Sequence, residues 1–226
     1  MKWAIKNKTR IEATPKVKAK CPICNEEVIA KCGSIKIWHW AHKNKEDCDS
    51  WYEPESQWHL DWKNEFPKEQ QEFSIGRHRA DIRTKDRWII ELQNSSISSE
   101  EIIERENYYK RMIWLLNGYK ICNGLRLRNK KGLITFRWKH PPKNLWSVRK
   151  KIYIDLNFIP LDGMFKDEIS NFTSTQKKFW KGIIGKIFLI KKIYHKIPCG
   201  GYGELISKED FLKKFKGEGD DTKTIN

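Results

Sequence analysis

Glu55, Asp81, Glu91 and Gln93 are the residues whose types and spacing could do chemistry together. Residues 79–83 (Arg-Ala-Asp-Ile-Arg) alternate apolar and polar, and residues 88–93 (Trp-Ile-Ile-Glu-Leu-Gln) form a more apolar run that ends on polar groups. Both read as strands, joined by a turn over Thr84 to Arg87. Side chains alternate along a strand, so Glu91 and Gln93 share one face, Leu92 takes the other, and the acid and amide are expected beside Asp81. Two ionised carboxylates at close range repel each other unless a cation or a shared proton neutralises them. Hard oxygen donors select Mg²⁺ or Mn²⁺. Such an ion lowers the pKa of a bound water and polarises a phosphodiester oxygen. The competing reading is an ordinary hairpin with scattered charges.

The elements around this hairpin have to position it. Glu55, His59 and Lys63 fall at i, i+4 and i+8, so a helix with Pro54 in its first turn would carry all three on one face. A Glu and a His facing the strand carboxylates would add a metal ligand or orient water, whereas a surface ladder of Glu, His and Lys is the plainer alternative. Ser98 and Glu101 form a capping pattern that starts a helix running to about Arg111, with Arg105 and Tyr109 one turn apart. Met112 to Leu116 reads as a buried strand, and Asn117-Gly118 as a hairpin turn leading into Tyr119 to Cys122. Arg105 suits either a phosphate clamp or an ion pair on the helix surface.

Taken in order, Cys-Pro-Ile-Cys at 21–24, His-Trp-Ala-His at 39–42, Glu-Ser-Gln-Trp-His at 55–59, Ala-Asp-Ile at 80–82, Glu-Leu-Gln-Asn-Ser at 91–95 and Trp-Leu-Leu at 114–116 resemble the competence protein CoiA-like family. That family's core is similar to the PD-(D/E)xK restriction-endonuclease-like fold, a central mixed sheet flanked by helices. The resemblance implies that Asp81 and Glu91 are the Mg²⁺ carboxylates, that Gln93 stands where a Lys is usual, and that Glu55 and His59 supply the helix motif. It leaves Arg79, Arg105 and Tyr109 as candidates for nucleic-acid contact. An amide cannot supply the positive charge of a Lys, and Lys63 is the candidate to replace it.

Upstream, Cys21-x2-Cys24 is followed by His39-x2-His42 and Cys48. Cys and His donors favour tetrahedral Zn²⁺, and a segment this short needs a metal to hold itself together. Five candidates compete for four places, with free buried thiols as the alternative. Cys32 and Cys122 read as buried thiols and Cys199 as part of a glycine-flanked turn. Six cysteines in 226 residues, with no signal-like opening, argue against a disulfide framework and for a cytoplasmic protein. Apolar runs such as Ile187 to Ile190 are too short to span a bilayer.

A content of 38% hydrophobic residues with 11 Trp supports a real core, and the net charge is +16. Residues 121–226 hold 23 Lys and Arg against 10 Asp and Glu. Such a surface suits a nucleic-acid backbone, although a lysine-rich composition alone can produce it. Leu133 to Trp138 and Lys151 to Leu156 read as strands. Thr175 to Lys196 reads as one basic amphipathic helix that packs on the core, grips phosphates or lies on a membrane. Ser207 caps a short helix, and Gly217 to Asn226 should be a disordered tail.

The expected α/β architecture is a zinc-ribbon-like module over 1–50, a nuclease-like core over 51–160 and a basic helical region over 161–226. The expected activity is Mg²⁺- or Mn²⁺-dependent DNA hydrolysis by metal-activated water in DNA processing or recombination, with structural Zn²⁺. The alternative is a nucleic-acid-binding accessory factor with little or no cleavage.

Overall fold

A computed structural model describes residues 1–43, 48–121, 124–156, 174, 181–194 and 198–217. The chain divides into two compact units, Met1–Ile90 and Glu91–Asn226.

The first unit opens with an antiparallel sheet of β1 (Trp3–Lys6), β2 (Thr9–Glu12), β3 (Lys18–Lys20), β4 (Glu27–Lys31) and β5 (His39–His42), in the order β2-β1-β3-β4-β5. Asn7 and Lys8 both have positive φ, which suits the tight two-residue turn joining β1 to β2. Met1, Ala4, Ala19, Cys21, Val28 and Trp40 make its small core. Few large apolar side chains take part, which is why a metal would matter here. Helix α1 (Gln57–Asn64) follows, then β6 (Gln71–Ile75), β7 (His78–Arg83) and the first residues of β8 (Ile89–Gln93). β6 and β7 pair through Gln71 with Ile82 and Phe73 with Ala80, and β7 meets β8 through Ile82 with Ile90. The β7–β8 turn closes where the sequence places it, with the Arg87 N–H donating to the Thr84 carbonyl at 2.9 Å.

The second unit is α/β with a mixed sheet in the order β10-β11-β14-β13-β12-β9-β8. Its elements are α2 (Ser99–Tyr109), β9 (Met112–Asn117), α3 (Gly118–Ile121), β10 (Leu125–Lys130), β11 (Leu133–Trp138), β12 (Lys151–Asp155), β13 (Lys186–Tyr194), β14 (Cys199–Ser207) and α4 (Lys208–Lys216). β9 and β12 run parallel, while β10–β11, β11–β14, β13–β14 and β12–β13 are antiparallel. Ser98 caps α2 as expected, accepting from the Glu101 N–H at 3.0 Å. Ser207 caps α4, whose Phe211 and Phe215 pack edge-on against Tyr153.

Three sequence expectations are corrected. Asn117-Gly118 is not a hairpin turn: the Asn117 side chain accepts from the Tyr119 N–H at 3.0 Å and starts α3. A Cβ on Gly118 would run into the Asp155 carbonyl, so this glycine permits a close approach to β12. Residues 186–194 are strand rather than helix, because Ile187 to Ile190 lie buried between β12 and β14. Cys199 begins a strand and not a turn, so residues 186–207 are not part of a helical region. Thr175 to Trp180, Cys122 and residues 218–226 lie outside the described residues. No helix of the described residues is long and apolar enough to cross a membrane.

Candidate active site and thiol cluster

A capping box sets the first unit's polar centre. The Ser56 hydroxyl accepts from the His59 N–H, and His59 Nδ1 accepts from the Ser56 N–H at 3.2 Å. Glu55 therefore precedes α1 rather than riding on it, and His59 Nδ1 serves the cap. Two turns along, the Lys63 side chain is only 4% exposed. Its Nζ lies 2.8 Å from Glu55 Oε1, 3.1 Å from Asp81 Oδ1 and 3.3 Å from Glu72 Oε1. Asp81 keeps 21% of its side chain exposed, which makes it the carboxylate of this group that solvent reaches most easily.

Glu72 is the residue that sequence reasoning missed. It takes a positive φ inside β6, and its oxygens accept the Lys2 N–H at 2.9 Å and the Trp3 N–H at 3.1 Å. A lone acid carries no spacing signal; the register of β6 with β7 sets Gln71 opposite Ile82 and Phe73 opposite Ala80, and Glu72 and Asp81 fall between these two pairs.

Charge coupling separates these groups. Burial pushes the Glu55 carboxyl above its ordinary value, and Lys63 offsets only part of that. Burial also acts against ionised Glu72, but Lys63, Arg79 and the chain's amino terminus outweigh it and hold this carboxyl well below 4.5. Burial likewise opposes the Lys63 ammonium, and Glu55, Asp81 and Glu72 more than compensate. Arg79 is half-buried; Glu72, Asp49 and Glu55 outweigh its desolvation and keep its charge firmly in place. Carboxylates with opposite shifts in one site are the pattern that separates acid from base roles. The ammonium among three carboxylates also shows that this donor set suits a cation. Nearby, Asp49 accepts from the Arg79 N–H and pairs with His78 Nδ1, both at 2.9 Å, while Trp51 stacks on His78.

In the second unit Glu91 is buried and meets Arg105 Nη1 at 2.5 Å. Arg105 also donates to Glu101 through Nε at 2.9 Å, so its guanidinium is engaged by two carboxylates. Gln93 donates from Nε2 to the Ser95 carbonyl at 3.1 Å. Tyr109 is buried and packs edge-on against Tyr108. A cavity of about 830 Å³ opens beside Gln93, with Asn94, Trp114, Lys120, His140 and Lys143 in its wall.

The cysteines converge. Donor atoms of Cys21, Cys24, His42 and Cys48 all lie within 4.8 Å of one another. Cys21 Sγ is 3.6 Å from Cys48 Sγ, and Cys24 Sγ is 3.2 Å from His42 Nε2. Thiolates at 2.3 Å from a tetrahedral zinc stand about 3.8 Å apart, so this Cys3His set could bind zinc. Burial and the neighbouring thiols of Cys21 and Cys24 push Cys48 up to about 12, a crowding that a divalent cation would relieve. His39 is outside the set, its Nδ1 at 2.8 Å from the Ile37 carbonyl. Cys32 is half-exposed.

Residues 5–50 match the competence protein CoiA N-terminal domain, and residues 56–154 match the competence protein CoiA nuclease-like domain. No curated protein and no solved structure matches the chain.

Proposed function

This chain belongs to the competence protein CoiA-like family, and from that premise we propose that it is a nuclease hydrolysing phosphodiester bonds of DNA with Mg²⁺ or Mn²⁺ held by Asp81 and Glu91. The observation that carries the reading is Lys63 Nζ at 3.1 Å from Asp81 Oδ1. A buried ammonium stands beside the more exposed carboxylate, in a chain whose Glu-x-Gln sequence lacks the customary Lys. The pairing of β7 with β8 up to Ile82 and Ile90, the chain neighbours of Asp81 and Glu91, adds support. The reading requires Asp81 and Glu91 to reach one ion, and hard carboxylate donors suit these metals.

A divalent cation bound there would polarise the scissile phosphate and lower the pKa of the attacking water. The chain's own groups do the rest. Lys63 supplies positive charge that the Gln93 amide cannot, countering negative charge that develops on the phosphate. Arg105 orients Glu91 through a charge-assisted bond. Burial pushes the Glu55 carboxyl up while Glu72 is held well below its ordinary value, so of these two Glu55 holds a proton the more readily. DNA processing or recombination in the cytoplasm is the proposed setting, with Zn²⁺ in the Cys3His cluster as a structural ion.

Plasmid and oligonucleotide cleavage with Mg²⁺ or Mn²⁺ tests the proposal. Wild-type protein should cut, and Asp81→Ala and Glu91→Ala should each abolish cutting while the protein stays folded. A second reading, a nucleic-acid-binding accessory factor, is favoured by Lys63 being held by three carboxylates. Binding without any metal-dependent, Asp81-dependent cleavage would select it.

A further inference from the structure

The second unit carries a strand face that the nuclease reading does not use. β10, β11, β14 and β13 lie side by side at the end of the sheet away from β8, and their register builds two rows across the four strands. One row runs Arg126, Arg137, Gly200, Tyr194, and the other Arg128, Thr135, Tyr202, Lys192. Alternation along the strands turns Leu127, Phe136 and Trp138 into the core and leaves the rows on the opposite face. Arg126, Arg128, Arg137 and Lys192 are exposed, as is Tyr194 at 53%. Arg126 and Arg137 sit directly opposite each other in the register of β10 and β11, which concentrates positive charge at one end of the first row. Gly200 leaves a gap in its row between Arg137 and Tyr194. Glu204, two residues from Tyr202 on the same strand, is paired with Lys191 at 2.9 Å.

We propose that this four-strand face binds a single-stranded nucleic acid, with phosphates on Arg126, Arg128, Arg137 and Lys192 and bases stacked on Tyr194 and Tyr202. Neighbouring strands stand about 4.8 Å apart, so the four span roughly 14 Å, a width on which a sheet stacks two or three unpaired bases. The two tyrosines decide between single strand and duplex. A ring lying on a sheet face pairs with the flat face of an unstacked base, and a duplex keeps those faces inside its own stack. The inference rests on the nuclease reading only in taking a nucleic acid as the partner, because none of these residues is a proposed metal ligand.

The test is fluorescence anisotropy of full-length protein with a labelled dT12 and with a 12-base-pair duplex, without Mg²⁺ or Mn²⁺. Wild-type protein should bind dT12 more tightly than the duplex. Arg128→Gln with Arg137→Gln should weaken dT12 binding at least tenfold and reduce its salt slope by about 0.7 for each charge removed. Tyr194→Ala should weaken dT12 at least threefold and leave duplex affinity unchanged. An oligonucleotide carrying 4-thiothymidine should crosslink to β13 or β14 on irradiation, a result read without any variant. Crosslinks confined to other segments, equal affinity for duplex and single strand, or binding of anionic vesicles or an acidic polypeptide in place of dT12 would overturn the inference. Asp81→Ala protein separates the two ideas: it should lose cleavage and keep dT12 binding. Cleavage that persists while dT12 binding ignores the strand-face variants sinks only the inference.

Discussion

Lys63 Nζ lies 3.1 Å from Asp81 Oδ1 while also contacting Glu55 and Glu72, so a single buried ammonium holds three carboxylates together. Removing it takes the shared ammonium from three carboxylates, and losing one partner of a buried pair costs about 3–5 kcal/mol. Lys63→Ala should therefore lower stability by roughly that amount in urea denaturation. Asp81→Asn, at the most exposed corner of the group, should cost about 1 kcal/mol or less. Equal losses from both variants would contradict the view that Lys63 is the hub.

Glu72 gives the protein an acid-sensitive hold on its first strand. Its folded pKa lies well below 4.5, so the native state binds fewer protons than the unfolded chain as pH drops through that range. The stabilisation is complete above about pH 4.5 and fades as pH falls towards the folded value. Denaturation midpoints should therefore fall between pH 6 and pH 3 in the wild type. In Glu72→Gln protein the midpoint at pH 6 should be lower and the fall shallower. A variant whose midpoint tracks the wild type at every pH would remove Glu72 from this role.

The Cys3His cluster makes a prediction about which histidine matters. Protein purified without chelator should carry one zinc per chain by elemental analysis. His39→Ala should keep that zinc, because its Nδ1 is turned to the Ile37 carbonyl, whereas His42→Ala and Cys48→Ser should lose most of it. Stripping the zinc should lower amide-exchange protection in β3 to β5, since a core this small would gain stability from such an ion. Zinc lost equally from His39→Ala would mean that the donor set is different.

The hairpin of Asp81 was legible because strict alternation over 79–83 and a bounded apolar run over 88–93 are period-two signals, and the burial pattern of β7 follows that alternation. The caps at Ser98 and Ser207 were legible because capping is a local side-chain bond. The β13–β14 hairpin was not. Ile183, Ile184, Ile187, Phe188 and Ile190 satisfy a helical period as readily as a strand buried on both faces. Gly200 and Gly201, beside Cys199, read as a turn although they lie against neighbouring carbonyls and the Phe136 ring. Glu72 escaped because a lone acid carries no spacing signal, and its importance comes from tertiary register with Asp81.

The glycines of β14 allow a graded test of its register with β13. A Cβ on Gly201 would overlap the Lys192 carbonyl and crowd the Phe136 ring, and one on Gly203 would overlap the Leu189 carbonyl and the Phe188 ring. Backbone of the central strand β13 is the obstacle in both cases and cannot swing aside as a flexible side chain would. Gly200 differs, since its Cβ would meet only the Phe136 carbonyl at 3.1 Å, a contact that a small shift relieves. Gly201→Ala and Gly203→Ala should each destabilise by about 2–3 kcal/mol or more through overpacking, and Gly200→Ala by less than about 1 kcal/mol. Chemical denaturation of the three variants reads the order directly. If Gly200→Ala proved the most damaging, the register of β13 with β14, and with it the strand face proposed to bind single strands, would need to be redrawn.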